Sequence, residues 1–389
     1  MHPVKEQIGQ TLDRLADDLE RLSHRIHQNP ELAYQEVKAA GWLSEFLAAQ
    51  GFKVEQGVGG VETAFCGTIE NGAGPTLAIM CEYDALPGIG HACGHNVIAT
   101  AGAGAGAALA AVRDRLPKGR ILVVGTPAEE GGGGKVRLIR GGVFNGVDAA
   151  MMVHGWDRWV AHQDLLGIVR VGFEFTGKAA HASADPWEGV NALDAVIQTF
   201  NNVSMLRQQV RPDARIHGIV TNGGAAPNII PEFASAMFYV RAPRLDEMWA
   251  LHKRVIACAE GAARATGTTL KVVEHDNAYE PMKRNQALLD VYRANLAPLG
   301  AVESPPLADR LGSSDVGNVS QVLPTIQPMV KIAPDGTAVH SRAFEEAAAS
   351  PLAREGMVKA AKAMALTAFD LLADPALLPQ IKREFEAAR

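Results

Sequence analysis

Thr76-Leu-Ala-Ile-Met-Cys-Glu-Tyr-Asp84 and Arg120-Ile-Leu-Val-Val-Gly-Thr-Pro-Ala-Glu-Glu130 decide how this chain reads. Each is a short apolar run that stops in acidic residues, the pattern of a buried strand whose far end meets solvent or a ligand. Similar runs lie at Ala64 to Ile69 and Ala149 to Val153, and the last leads into His154. Between Thr76–Cys81 and Arg120–Gly125 stands Val97 to Val112, VIATAGAGAGAALAAV. It is shorter than the roughly 20 apolar residues of a membrane span, so it reads as a buried helix whose small side chains allow close packing. Strands alternating with helices predict an α/β layer with a mixed, mostly parallel sheet flanked by helices.

Outward from these runs the pattern holds. Ile8, Leu12, Leu15, Leu19, Leu22 and Ile26 repeat at helical spacing up to Asn29-Pro30, and a second helix around Trp42 to Leu47 closes at Gly51. Past His154 the order changes. Val169 to Phe175 alternates as a half-buried strand, Val190 to Phe200 repeats as a helix, and Arg215–Thr221 and Phe233–Arg241 read as strands. Leu245–Thr266 then reads as a helix and Thr269–His275 as a strand, giving the β-α-β-β-α-β order of a ferredoxin-like α+β domain. A helix at Asn285–Leu296, a strand at Thr325–Ile332 and a long helix at Leu352–Leu372 complete the first layer. The expected organisation is a discontinuous domain of residues 1–166 and 281–389, with residues 167–280 inserted.

Composition narrows the function. The 389 residues carry 37 Lys plus Arg against 43 Asp plus Glu, a formal net charge of −6, and no basic block, so no nucleic-acid or membrane partner is expected. The opening MHPVKEQIGQTL has no apolar signal core, and four scattered cysteines make no disulfide framework; a soluble protein of the reducing cytoplasm is expected.

In open α/β sheets, ligands bind at the carboxyl ends of strands. Here those ends carry Asp84, Glu129-Glu130 and His154, and HACGHN places His91, Cys93 and His95 between the first two. Singly each has a plain reading: a solvated acid, a helix-start charge pair, a hydrogen-bonded core histidine. Together they bring Cys, His and Glu donors to one crevice, a set suited to zinc or a similar first-row metal. Of two adjacent carboxylates, one can bind metal while the other takes a proton from a metal-activated water. Gly131–Gly134 followed by Lys135 lacks the spacing of a phosphate loop.

HACGHN, GTPAEEGGGGK, MMVHG, GKAAHAS, GGAAPNIIP, GSSDVGNVS and AVHS, in this order, resemble the amidohydrolase branch of the aminoacylase and glutamate-carboxypeptidase-like dinuclear metallopeptidases. This branch includes indole-acetyl-amino-acid hydrolases, p-aminobenzoyl-glutamate hydrolase and β-alanyl-lysine type dipeptidases. The resemblance implies a two-metal catalytic domain with an inserted lid that dimerises, hence a homodimer. It implies two divalent ions, zinc or manganese with cobalt as a substitute, held by Cys93 as a bridge and by His95, Glu130, His154 and His340. Glu129 is then the general base, and Asp84 orients a ligand histidine from behind. On the lid, His181 and Asn228 contact the substrate or its oxyanion, and Arg241 is a candidate for the substrate carboxylate. Asn96, where many relatives carry Asp, and Gly155-Trp156, where many are bulkier, depart from the pattern without removing a ligand. The expected activity is hydrolysis of the amide bond of a small N-acyl amino acid or dipeptide. A Cys93-dependent thiol hydrolase and a non-catalytic binding protein on the same fold are the alternatives.

Overall fold

The computed structural model describes residues 2–275, 277–307 and 311–388. Two compact units account for the chain: Met1–Asp164 with Met282–Leu311 and Asp315–Arg389, and Leu165–Pro281 with Gly312–Ser314. The second unit thus gathers Gly312–Ser314 from the far side of the insertion.

The first unit is built on a six-stranded sheet in the order Lys53–Gln56, Phe65–Glu70, Arg120–Gly125, Thr76–Cys81, Ala149–Met151, Thr325–Ile326. The first two pairings are antiparallel and the remaining three parallel, a mixed, mostly parallel sheet. Lys53–Gln56 has no apolar alternation and is not legible as a strand from sequence; it pairs as an edge on Phe65–Glu70. Thr325–Ile332, which reads as one strand, is two. Thr325–Ile326 pairs with Ala149–Met151, and Met329–Lys331 pairs with His154–Trp156 in a separate two-stranded piece. Pro328 between them has no N–H for a ladder, so the pairing is interrupted there.

The helix His95–Ala110 is buried along almost its whole length. Its glycines explain how. A Cβ on Gly106 would stand 2.5 Å from Val123 of the sheet, and one on Gly104 would stand 2.8 Å from Leu19 of the N-terminal helix Pro3–His27. The small residues therefore set the helix directly on its neighbours, as a core rather than a membrane element. Among the described residues no helix is long and apolar enough to cross a membrane. The long helix Pro351–Ala373, capped by the Ser350 hydroxyl on Ala353 N, shares the same apolar core.

The second unit holds a four-stranded antiparallel sheet, in space Thr269–Glu274, Gly167–Thr176, Phe233–Ala242, Arg215–Asn222. In chain order these are the fourth, first, third and second strands, joined through the helices Ala192–Leu206 and Leu245–Thr266. Val169, Val171, Phe173, Phe175, Phe238 and Val240 form its core beneath those helices.

Candidate metal centre

The carboxyl ends of the parallel strands of the first unit gather the predicted donors. Ligand atoms of Cys93, His95 and His154 lie within 4.8 Å of one another, as do those of Cys93, Glu130 and His340, and of His95, Glu129 and Glu130. Cys93 is thus common to two groups and His95 to two.

Local structure holds each donor in place. His95 opens the helix His95–Ala110 after Gly94, whose φ of 77° suits glycine. Its Nδ1 faces Asp84, 2.8 Å from the backbone oxygen and 3.1 Å from Oδ1, which turns Nε2 toward the other donors. His154 is oriented in the same way, Nδ1 lying 2.9 Å from Gly155 O, and its Nε2 sits 3.4 Å from Cys93 Sγ. Asp84 also accepts from Glu130 N through Oδ2 at 2.8 Å, so one buried carboxylate braces two of the clustered residues. His340 is held by its backbone N on Ala92 O at 2.8 Å, and its Nε2 lies 3.2 Å from Glu130 Oε1. His340 has a φ of 61°, a costly backbone state for a non-glycine residue that the surrounding contacts must maintain.

The turn after Arg120–Gly125 carries the two glutamates. Ala128 takes a φ of 60°, and Gly131 and Gly133 take 89° and 69°. A Cβ at Gly134 would overlap Pro127 O, so the chain folds back on itself only with glycine there. Glu36, which sequence reading misses, secures this turn. Its Oε1 accepts from Tyr34 N and Ala128 N, both at 2.9 Å, and its Oε2 accepts from Thr63 Oγ1 at 2.9 Å. Tyr34, another left-handed residue with φ 63°, donates its hydroxyl to Gly132 O at 2.6 Å. Burial pushes the Glu36 carboxyl up to about 7. Glu36→Gln replaces one acceptor oxygen by a donor facing these N–H and O–H groups. It is expected to cost roughly 1–3 kcal/mol in urea unfolding and to slow turnover; an unchanged unfolding midpoint would remove Glu36 from this role.

Electrostatics separates the adjacent glutamates. Burial, then the charges of Glu82 and Glu130, push Glu129 well above the usual carboxylate range. Burial opposes ionisation of Glu130 too, but the His340 hydrogen bond and the charge of His95 hold it below its ordinary value. Neighbouring carboxyls pushed apart suit one to proton transfer and the other to permanent charge. Burial, then Glu130, raises the Cys93 thiol, the reverse of what activates a cysteine nucleophile.

The donor set fits a metal. His95 Nε2 is buried without a hydrogen-bond partner although Asp84 fixes its ring, and an ion would satisfy it. Sulfur, imidazole and carboxylate donors at this spacing suit first-row divalent ions, and the surplus of buried acids favours a cation.

His181, Asn228 and Arg241 belong to the second unit. Ala180–His181 pairs with Ile229–Ile230, and Ala182 N donates to Asn228 O at 3.0 Å, which brings His181 and Asn228 side by side. Both are exposed. His181 Nδ1 accepts from Ala184 N at 3.2 Å, so the local turn fixes the ring. Arg241, on Phe233–Ala242, donates from Nη1 to Ser313 Oγ at 3.0 Å. His91 is buried beside this metal centre's loop and stacks 6.2 Å from His27.

Residues 78–368 match the family model described as peptidase family M20/M25/M40. The Xaa-Arg dipeptidase of Mus musculus is 40% identical over 98% of this chain and 92% of its own length. A p-aminobenzoyl-glutamate hydrolase component of Escherichia coli (strain K12) is 29% identical over 94% of this chain and 91% of its own. Among solved structures, a putative aminohydrolase from methicillin resistant Staphylococcus aureus has a TM-score of 0.81 at 21% identity, covering 95% of this chain and 100% of that one. A dinuclear metal binding peptidase of Bacillus subtilis has a TM-score of 0.69 at 21% identity, covering 90% and 98%.

Proposed function

The chain belongs to peptidase family M20/M25/M40, a metal-dependent hydrolase of amide bonds, and on that premise we propose that it is a dipeptidase whose preferred substrate ends in a basic residue. The observation that carries the hydrolytic reading is the sharing of Cys93 and His95 among three donor groups, each spanning no more than 4.8 Å. Two divalent ions would be held by Cys93, His95, Glu130, His154 and His340, with Cys93 shared between the two donor groups it joins. The basic preference is supported by the 40% identity to a protein named Xaa-Arg dipeptidase. Zinc or manganese suits the mixed sulfur, nitrogen and oxygen donors, and cobalt can replace either.

Bound there, the ions supply a Lewis acid for the scissile carbonyl and lower the pKa of water. The residues do the rest. Glu129 takes the proton of the attacking water, holds it in its buried setting, and hands it to the nitrogen of the departing amine. Asp84 keeps His95 and the Glu130 backbone in register throughout. The second unit serves as a lid and dimerisation domain, with Arg241 for the substrate carboxylate and His181 and Asn228 as donors to the oxyanion. A homodimer is supported by the strand Arg215–Asn222, which lies at the edge of its sheet among the described residues and exposes Ile219 and Val220. Cytoplasmic residence is supported by four free cysteines.

The substrate is tested with a panel of dipeptides ending in Arg, Lys, Glu and Leu, plus N-acyl amino acids, scored by released amine. The highest kcat/KM is expected for the basic dipeptides. Preference for p-aminobenzoyl-glutamate or for acyl amino acids would overturn the substrate assignment while leaving the hydrolase intact.

His181 is proposed to act on the neighbouring subunit's substrate. Glu129→Gln and His181→Ala are each expected to be inactive alone. Reassembled as mixed dimers, they create one site with both residues intact, so activity returns. Mixed dimers that form and stay inactive would place His181 within its own subunit.

A further inference from the structure

The strand Thr76–Cys81 runs into two acids with different surroundings. Asp84 is engaged by His95 and Glu130 N. Glu82 is fully buried, and its Oε1 accepts from the ammonium of Lys135. Lys135 is itself fully buried at the start of the helix Gly134–Arg140. It donates from Nζ to Asp315 Oδ1 at 2.7 Å and from its backbone N to Asp315 Oδ2 at 2.9 Å. One ammonium therefore serves two buried carboxylates, and it joins three segments distant in sequence.

The other oxygen of Glu82 has no such partner. Oε2 is buried without a hydrogen bond and lies 3.7 Å from His95 Nε2, the nitrogen that Asp84 leaves free and that also lacks a hydrogen bond. A buried carboxylate oxygen without a donor is costly, and the ammonium that could neutralise it is already shared. The separation of 3.7 Å is shorter than two metal–ligand bonds of about 2.0–2.2 Å laid end to end, so one ion can touch both atoms at an open angle.

The geometry points to Glu82 as an additional oxygen donor beside His95 at the metal centre, held in position by Lys135. The inference rests on the two-metal reading above and adds a carboxylate next to His95, the one clustered donor that Glu82 Oε2 approaches, at 3.7 Å. Lys135 is then a positioning residue, since it acts only through Glu82, while Asp315 shares the ammonium without touching Glu82. A carboxylate oxygen beside His95 suits manganese, which takes oxygen donors readily.

The test titrates metal-stripped full-length protein with manganese alone, counting free ion by electron paramagnetic resonance. The unmodified protein binds two ions. Glu82→Gln weakens one of them by about ten- to a hundredfold and leaves the other nearly unchanged. Asp315→Asn, which also takes one carboxylate from Lys135, keeps two ions, because Glu82 and its Lys135 contact remain. Two ions bound by Glu82→Gln with unmodified affinity would overturn the assignment. So would an equal loss in Asp315→Asn, which would trace the effect to disturbance of the buried charges. Should Glu82→Gln fail to fold, Glu82→Asp keeps the charge beside Lys135 on a shorter arm and reads the same loss. Fewer than two ions in the unmodified protein would instead defeat the two-metal reading itself.

Discussion

Stripping the protein of divalent ions abolishes amide hydrolysis, and manganese, zinc or cobalt restores it. The reason lies in what the residues lack without them. The carbonyl of an amide is a poor electrophile and neutral water a poor nucleophile, and the clustered Cys93, His95, Glu129, Glu130, His154 and His340 offer lone pairs to a cation rather than positive charge to either. The buried ammonium of Lys135 is committed to Glu82 and Asp315. Removal is expected to lower the melting temperature as well. An ion present at a thousand times its dissociation constant contributes about 4 kcal/mol to the folded state, and its loss returns several buried anions to one another's company. Activity and melting temperature recover together on adding metal back. Full turnover in a sample verified free of metal would sink the mechanism and revive a thiol route through Cys93. The raised Cys93 thiol argues against that route, because burial and Glu130 both disfavour the thiolate it needs.

Glu129→Gln lowers kcat by about a hundredfold or more while both ions stay bound. Glutamine keeps the size and one oxygen of the side chain but takes no proton at neutral pH. Glu129 enters only the group with His95 and Glu130, both of which also belong to groups joined through Cys93, so occupancy is expected to survive its loss. The contrast with its neighbour is the argument for the assignment. Burial and the charges of Glu82 and Glu130 raise Glu129, whereas Glu130 is held ionised by His340 and His95. A base with a raised pKa works above that value and fails below it, so the unmodified enzyme loses activity as pH falls through the Glu129 ionisation. Glu129→Gln should flatten that acid limb. Stoichiometry by mass spectrometry separates loss of the base from loss of an ion. A variant that retains two ions and turns over at near-normal rate would show that another residue accepts the proton.

The amino-acid sequence determined by itself everything that depends on local pattern. Apolar runs of strand length at Thr76–Cys81 and Arg120–Gly125, and the small-residue helix after His95, are legible because periodicity and side-chain size act over a few neighbours. The donors are legible because each follows the end of such a run, where an α/β sheet binds its ligands. Ordered motifs from HACGHN to AVHS carry the family resemblance without any coordinate. Tertiary structure alone decided the break at Gln327-Pro328, where two strand pairings meet and a prolyl nitrogen cannot join either ladder. It alone revealed Glu36, whose three donors come from Tyr34, Thr63 and Ala128, and the contact of Lys135 with Glu82 and Asp315 across 53 and 180 residues of chain. Nothing in a local pattern marks such an acid or lysine as buried, since a charge usually signals solvent. Burial of a charge becomes favourable only when partners from distant segments converge on it, and that convergence is a property of the folded chain.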